Sequence, residues 1–332
     1  MFQALYLDQN PEFSCQIEAL SLDTLKANAR EKGDGDTLVK IYYSTLNYKD
    51  ALAVTNKGRI ARRFPMIPGI DFVGEVVETT HTELKVGDLV FMNGLGLSEN
   101  HFGGLSEYAF VPGRDLLQVP ESFTAFDVMA LGTAGYTAGL CINRLLEHGI
   151  KADNGEVLVS GATGGVGMVA LMLLGKLGFK TVALTRKADA EHFFEALGVS
   201  RIEQNPAFYE KGKVLQKEQY QAAVDVLGGH PLANILAQTQ YSGIVAACGL
   251  ASDMALPTTV APFILRDVTL AGVDSVMAPK EKRVEAWALL SRLLTSTDLQ
   301  DKVIEIPLSE VTSVAEAMIS GTIKGRFVVK IA

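Results

Sequence analysis

The hydrophobic positions change their period near residue 120. Before that point the apolar residues come in short runs cut by turn residues: Thr37–Tyr43, Phe72–Val77, Lys85–Phe91 and Ser106–Val111. Runs of this length and composition predict a compact β-rich domain. From Ala125 the periodicity is helical through Leu146. Strand-like runs then alternate with helical stretches at Val157–Val159, Thr181–Leu184, Ala222–Val226, Gly243–Cys248 and Val268–Val273. That alternation predicts an open parallel sheet wound with helices. Beyond it, Glu281–Leu294 reads as an amphipathic helix, and Arg326–Ile331 as the closing strand of a segment that returns to the first domain. The expected division is 1–124, 125–274 and 275–332.

The run Val157-Leu158-Val159-Ser160 breaks into Gly161-Ala162-Thr163-Gly164-Gly165-Val166-Gly167 and resumes as an apolar helix, Met168 to Leu174. A buried strand, a tight glycine turn and a helix in succession make a site for a dinucleotide pyrophosphate. The glycines let the backbone approach the phosphates, and the unpaired N–H groups at the helix start attract their charge. The spacing is Ala162-x-Gly164-x-x-Gly167, and Gly175-Lys176-Leu177-Gly178 ends the helix before the second strand of the unit, Thr181–Leu184. An NAD site places an acidic residue at the end of that strand, about 20 residues beyond the glycines. Here Thr185-Arg186-Lys187 stands there, with Asp189 a little later. A hydroxyl and two cations suit a 2′-phosphate, so NADPH is the expected cofactor.

A chain of 332 residues has room for two domains with their own cores. Its 48% apolar and 20% charged residues are those of a soluble globular protein. The net charge of −8 argues against nucleic-acid binding by bulk electrostatics. Cys15, Cys141 and Cys248 lie far apart in sequence and read as buried thiols of a reducing compartment, with neither a disulfide framework nor a tetrahedral zinc site. The start, Met1 to Tyr6, lacks the basic region and apolar core of a signal peptide. No uninterrupted apolar run reaches the ~18 residues of a membrane span. A cytoplasmic protein without a membrane partner is expected.

Three short motifs, Pro68-Gly69-Ile70-Asp71-Phe72-Val73-Gly74, Val86-Gly87-Asp88-Leu89-Val90 and Gly103-Gly104-Leu105-Ser106-Glu107-Tyr108, resemble those of the medium-chain dehydrogenases/reductases. At finer grain, three strings resemble the zinc-independent YhdH/AcuI type of quinone oxidoreductase-like proteins: Ser44–Leu52, Phe64–Asp71 and Leu256–Arg266. The resemblance implies an α/β architecture: a Rossmann doubly wound parallel sheet plus a β-rich GroES-like domain. It also implies NADPH-dependent reduction of acrylyl-CoA. At matching positions it implies Thr163, Gly164, Gly165 and Val166 at the pyrophosphate, with Thr185, Arg186, Lys187 and Arg201 around the 2′-phosphate. Leu250, Ile264 and Ser275 would lie near the nicotinamide half, with Arg326 reaching in from the C-terminal segment. Zinc relatives carry a cysteine where this chain has Asn47, and Gly-His-Glu where it has Gly69-Ile70-Asp71, so no metal is expected.

Without a Lewis acid, a conjugated C=C–C=O is the easier substrate, because hydride added at its β-carbon leaves the charge spread into an enolate. The protein must then place the reactants, hydrogen-bond the enolate oxygen and protonate the α-carbon. Tyr48, with Asn47 beside it, is the expected donor or nicotinamide contact, and the equal alternative is that both only shape the cofactor pocket. Lys57, Arg59, Arg62 and Arg63 put four cations in the loop before Pro68. Arg59, Arg62 and Arg63 are expected at the phosphates of a CoA thioester, the alternative being a solvated loop. The competing enzyme is an NADPH quinone or general α,β-unsaturated carbonyl reductase. A homodimer paired through the apolar strand Val268–Val273 is also expected.

Overall fold

The computed structural model describes residues 1–30, 35–323 and 325–331. It contains two compact units, Met1–Thr133 with Thr295–Ala332, and Ala134–Leu294.

The first unit opens on an antiparallel hairpin, β1 (Phe2–Asp8) with β2 (Ser14–Leu20), followed by α1 (Leu22–Arg30). Then come β3 (Thr37–Leu46), α2 (Tyr48–Val54), β4 (Asp71–Thr79), β5 (Leu89–Asn93), β6 (Tyr108–Val111) and β7 (Leu117–Gln118). Strand β3 is the hub, pairing antiparallel with β4 and β6, while β5 adds to β4 and β7 to β5. Val39, Ile41, Phe72, Val76, Val90 and Met92 are all buried in one core cluster. The strand expected from Lys85 begins only at Leu89, because the preceding residues turn through Gly87 at φ 94°.

Helix α3 (Ala125–His148) starts in the first unit and continues into the second. Gly132 interrupts it at φ 50°, ψ −155°, a conformation that favours glycine. By length and hydropathy α3 could cross a membrane, but 83% of its most apolar window is buried inside the fold, as in a core helix.

The second unit continues with β8 (Glu156–Ser160), α4 (Gly165–Lys176), β9 (Lys180–Leu184), α5 (Glu191–Glu195), β10 (Arg201–Glu203) and β11 (Tyr220–Asp225). It ends with α6 (Gly229–Gln238), β12 (Thr239–Ala247), α7 (Ala261–Arg266), β13 (Thr269–Gly272) and α8 (Lys280–Leu293). Its strands are all parallel, in the order β10-β9-β8-β11-β12-β13. This is the doubly wound Rossmann order, with its switch point between β8 and β11. Both layers read from the sequence are therefore present. Leu158, Val182, Leu184, Ala223 and Val245 from the sheet pack against Leu232, Ile235 and Leu236 of α6.

The chain returns to the first unit through α9 (Ser296–Leu299), β14 (Val303–Pro307), α10 (Val311–Ile319) and β15 (Arg326–Lys330). Strand β15 runs antiparallel to β3, with Phe327 opposite Leu46, and β14 lies parallel on its other side. That register sets Arg326 beside the end of β3, where the chain enters α2.

Candidate functional site

In the second unit β8 ends in a sharp turn at Gly161, whose φ is 56°. A Cβ there would stand 2.4 Å from Val226 Cγ2, and one at Gly167 would stand 2.6 Å from the Gly161 carbonyl oxygen. Gly164 caps α4 with no side-chain hydrogen bond. The first-turn N–H groups, with the positive end of a helix twelve residues long, are therefore left for an outside anion. Beneath the turn, Ser160 Oγ donates to Asp225 Oδ1 at 2.6 Å, and Asp225 Oδ2 accepts from the Gly228 N–H at 2.8 Å. The Val226 N–H donates to Ser160 Oγ at 3.0 Å, completing a latch across the switch point between β8 and β11. Burial pushes the Asp225 carboxyl above its ordinary range, opposed by these donors. The turn fits a dinucleotide pyrophosphate: it is open to anions, and no side chain larger than hydrogen could stand at its crossing points.

At the end of β9, Thr185 is buried and its Oγ1 accepts from the Lys187 N–H at 3.1 Å. The exposed Arg186 guanidinium lies over the Tyr209 ring, 5.0 Å from its centroid. Arg201 sits one strand further out and is engaged by two carboxylates, Glu156 at 2.8 Å and Glu203 at 3.1 Å. Leu250 and Ser275 follow the carboxyl ends of β12 and β13, the edge of the sheet that also carries Gly161–Gly167 and Thr185–Lys187. Ile264 stands exposed on α7.

The first unit holds a buried polar cluster at the start of α2, which sequence reasoning did not foresee. Asn47 Nδ2 donates to Asp50 Oδ2 at 3.0 Å and to Asp71 Oδ2 at 2.8 Å, while Asn47 Oδ1 accepts from Arg326 Nη1 at 2.9 Å. Asp71 Oδ1 also accepts from Asn93 Nδ2 at 2.7 Å and from Thr133 Oγ1 at 2.5 Å. Arg326 is fully enclosed: Nε donates to the Ala130 carbonyl at 3.1 Å, and Nη2 donates to Thr45 Oγ1 at 2.8 Å. Gly132 leaves room for it, since a Cβ there would meet Arg326 Nη2 at 2.7 Å and Asp71 Oδ2 at 3.0 Å. The amide of Asn47 and the guanidinium of Arg326 are thus spent inside this network. They fix the helix whose first residue is Tyr48, 48% exposed, with no hydrogen-bond partner for its phenol among the described residues. The Asn47-x-x-Asp50 spacing of a capping box is a local signal from which part of this cluster could have been read.

Burial, and after it the neighbouring Asp71, push the Asp50 carboxyl up to about 6, against donations from Asn47 and Ile70. The folded chain therefore takes up this proton more readily than the unfolded one. The stability linked to Asp50 is full below about pH 4 and is lost, by about 3 kcal/mol, as pH rises to about 6. Urea titrations of the wild type and Asp50→Asn should show their difference moving in favour of the variant across that window. A difference that stays constant with pH would contradict the assignment.

Of the loop cations, Arg59 and Arg62 line a cavity of about 510 Å³ together with Lys57, Gln9, Asn56 and Phe64. Arg63 is half-buried and lies outside that lining. Elsewhere, Cys141 is fully buried, but Cys15 and Cys248 are only partly so, which corrects the expectation of three buried thiols. Cys141 and Cys248, distant in sequence, are neighbours in the fold, and the Cys248 thiol together with burial raises the Cys141 thiol. Among the described residues, no group of three His, Cys, Asp or Glu side chains is placed to hold a metal ion.

The alcohol dehydrogenase GroES-like domain family matches residues 33–121. The probable acrylyl-CoA reductase AcuI of Escherichia coli is 46% identical over 298 residues, covering 90% of this chain and 92% of the relative. The solved structure of the yhdH oxidoreductase from Salmonella enterica in complex with NADP superposes with a TM-score of 0.95 at 43% identity, covering 99% of this chain and all of the other. Bacillus subtilis yhfP, solved with NAD bound, gives a TM-score of 0.93 at 38% identity and covers 99% of both chains. With such identity over nearly the whole length, the chain belongs to the quinone oxidoreductase-like YhdH/AcuI family of medium-chain dehydrogenases/reductases.

Proposed function

We propose that this protein uses NADPH to reduce the conjugated C=C of a short enoyl thioester, converting acryloyl-CoA to propanoyl-CoA without zinc. The observation that carries the reading is the strand end Thr185-Arg186-Lys187, a hydroxyl and two cations beside an uncapped glycine turn. The acyl class is supported by the name of the Escherichia coli relative.

Bound NADPH supplies a hydride from nicotinamide C4. The N–H groups of Gly165 and Val166 would hold the pyrophosphate, with Thr163 and Gly164 beside them, the Gly164 N–H itself closing the turn on the Gly161 carbonyl at 2.9 Å; Thr185, Arg186 and Lys187 would take the 2′-phosphate. Leu250, Ile264 and Ser275 are assigned to the nicotinamide half. In the first unit, Tyr48 is assigned the proton for the α-carbon, with Asn47, Asp50, Asp71 and Arg326 holding its helix in place. The substrate's own conjugation delocalises the developing charge, so the protein's task is placement and proton delivery.

Initial rates with acryloyl-CoA, crotonoyl-CoA, a benzoquinone and a free enal, each with and without exhaustive chelation, test the reading. Acryloyl-CoA should give the highest kcat/KM, unchanged by the chelator. A benzoquinone preferred over both thioesters, or activity lost to the chelator and restored only by zinc, would overturn it.

Strand β13 ends the parallel sheet, and Val260 and Leu265 are exposed on the adjoining segment. A homodimer pairing this edge across a two-fold axis would cover both features. Light scattering across a concentration series should give twice the chain mass, and a monomer mass at every concentration would refute the assignment.

A further inference from the structure

The cavity at the C-terminal end of α2 has features that reduction of a small enone does not use. Its volume of about 510 Å³ falls in the range of small-molecule sites. Lys57, Arg59 and Arg62 are exposed on its rim, on a chain whose net charge is −8. Arg62 is held in place from two sides: its Nη2 pairs with Glu99 at 3.2 Å, and its N–H donates to the Glu99 carbonyl at 3.0 Å. Lys49 also pairs with the Glu99 carboxylate, whereas among the described residues neither Lys57 nor Arg59 has a carboxylate partner. Two uncompensated cations beside an anchored third form a site for an anion with several charges. Phe64, Gln9 and Asn56 line the same cavity. Aromatic face, amides and cations together match a nucleotide more closely than a simple anion.

We propose that this cavity seats the phosphoadenosine end of the CoA thioester, with Lys57, Arg59 and Arg62 on its phosphates and Phe64 against the base. The proposal rests on the thioester reading above and names what holds the part of the substrate remote from its reacting carbons. Helix α2 sets the scale: Tyr48 is its first residue and Ala53 lines the cavity, so the two lie roughly 7.5 Å apart along the helix at about 1.5 Å per residue. The pantetheine arm of CoA is long enough to span that distance. Binding energy gained at the cavity then serves orientation at the reacting carbons.

The test uses the full chain and the double variant Lys57→Ala/Arg59→Ala, which removes the two unpaired cations and leaves Arg62 and its anchor alone. For the variant, KM for acryloyl-CoA should rise roughly tenfold or more, while KM for acryloyl-N-acetylcysteamine and for NADPH stays put. Adenosine 3′,5′-bisphosphate should compete with acryloyl-CoA in the wild type and lose that effect in the variant. Inorganic phosphate at the same concentration should not compete. Equal losses on both thioesters would make the loop merely structural, and unchanged KM values would place CoA elsewhere; either overturns the proposal. If the wild type reduces neither thioester, the reading of the reaction fails on its own terms. The cavity is then judged by calorimetry with adenosine 3′,5′-bisphosphate, where binding lost in the variant supports it and no binding to the wild type overturns it.

Discussion

Replacing Arg326 by methionine is expected to destabilise the first unit by about 3–5 kcal/mol, because it removes the cation that serves Asn47 and compensates two buried carboxylates. Asp50 and Asp71 are both fully buried, and Arg326 reaches the network through Asn47 Oδ1, Thr45 Oγ1 and the carbonyls at the end of the first segment of α3. Burial pulls the guanidinium down from its ordinary value, while Asp71 and Asp50 oppose that pull. Against a total stability of about 5–15 kcal/mol, the loss is large and should lower Tm by roughly 6–20 °C. Adding Asp50→Asn to the Arg326→Met variant should recover part of it, since one uncompensated charge is then gone. A variant melting within a degree of the wild type would show that the network carries no such load.

The double variant Arg186→Ala/Lys187→Ala should lose about two to four orders of magnitude in kcat/KM with NADPH and change little with NADH. Each charge-assisted contact to the 2′-phosphate contributes about 1.5–3 kcal/mol, and NADH has no group there to lose. Arg201→Ala should cost less than Arg186→Ala, because Arg201 is already paired with Glu156 and Glu203. The comparison is pointed, since one relative of the same fold was solved with NADP and another with NAD. Equal kcat/KM for both cofactors in the wild type would remove the basis for assigning a 2′-phosphate site to Thr185-Arg186-Lys187.

The parallel sheet and the glycine turn could be read from the sequence because their signals are local. Strand, turn and helix follow one another within Val157–Leu174, and each declares itself through periodicity or glycine spacing. The polar cluster could not be read in this way. Its members come from β3, α2, β4, β5, α3 and β15, and only the fold brings residue 47 to residue 326. No periodicity marks a buried arginine inside an apolar closing strand. The break at Gly132 was hidden for a related reason: a lone glycine in a helical run looks like an ordinary weak position until the side chains it must clear are in place. In the basic loop the charges were visible but not their directions: the fold sets Lys57, Arg59 and Arg62 around one cavity and leaves Arg63 outside its lining. The contact between Cys141 and Cys248 was likewise invisible to spacing.

The most direct test of the central claim is to follow a label from cofactor to product. NADPH carrying deuterium at both C4 positions, incubated with acryloyl-CoA and the protein in ordinary water, should yield propanoyl-CoA with one deuterium at the β-carbon and a solvent proton at the α-carbon. Deuterium at the α-carbon, deuterium absent from the product, or NADPH oxidised without propanoyl-CoA being formed would contradict it.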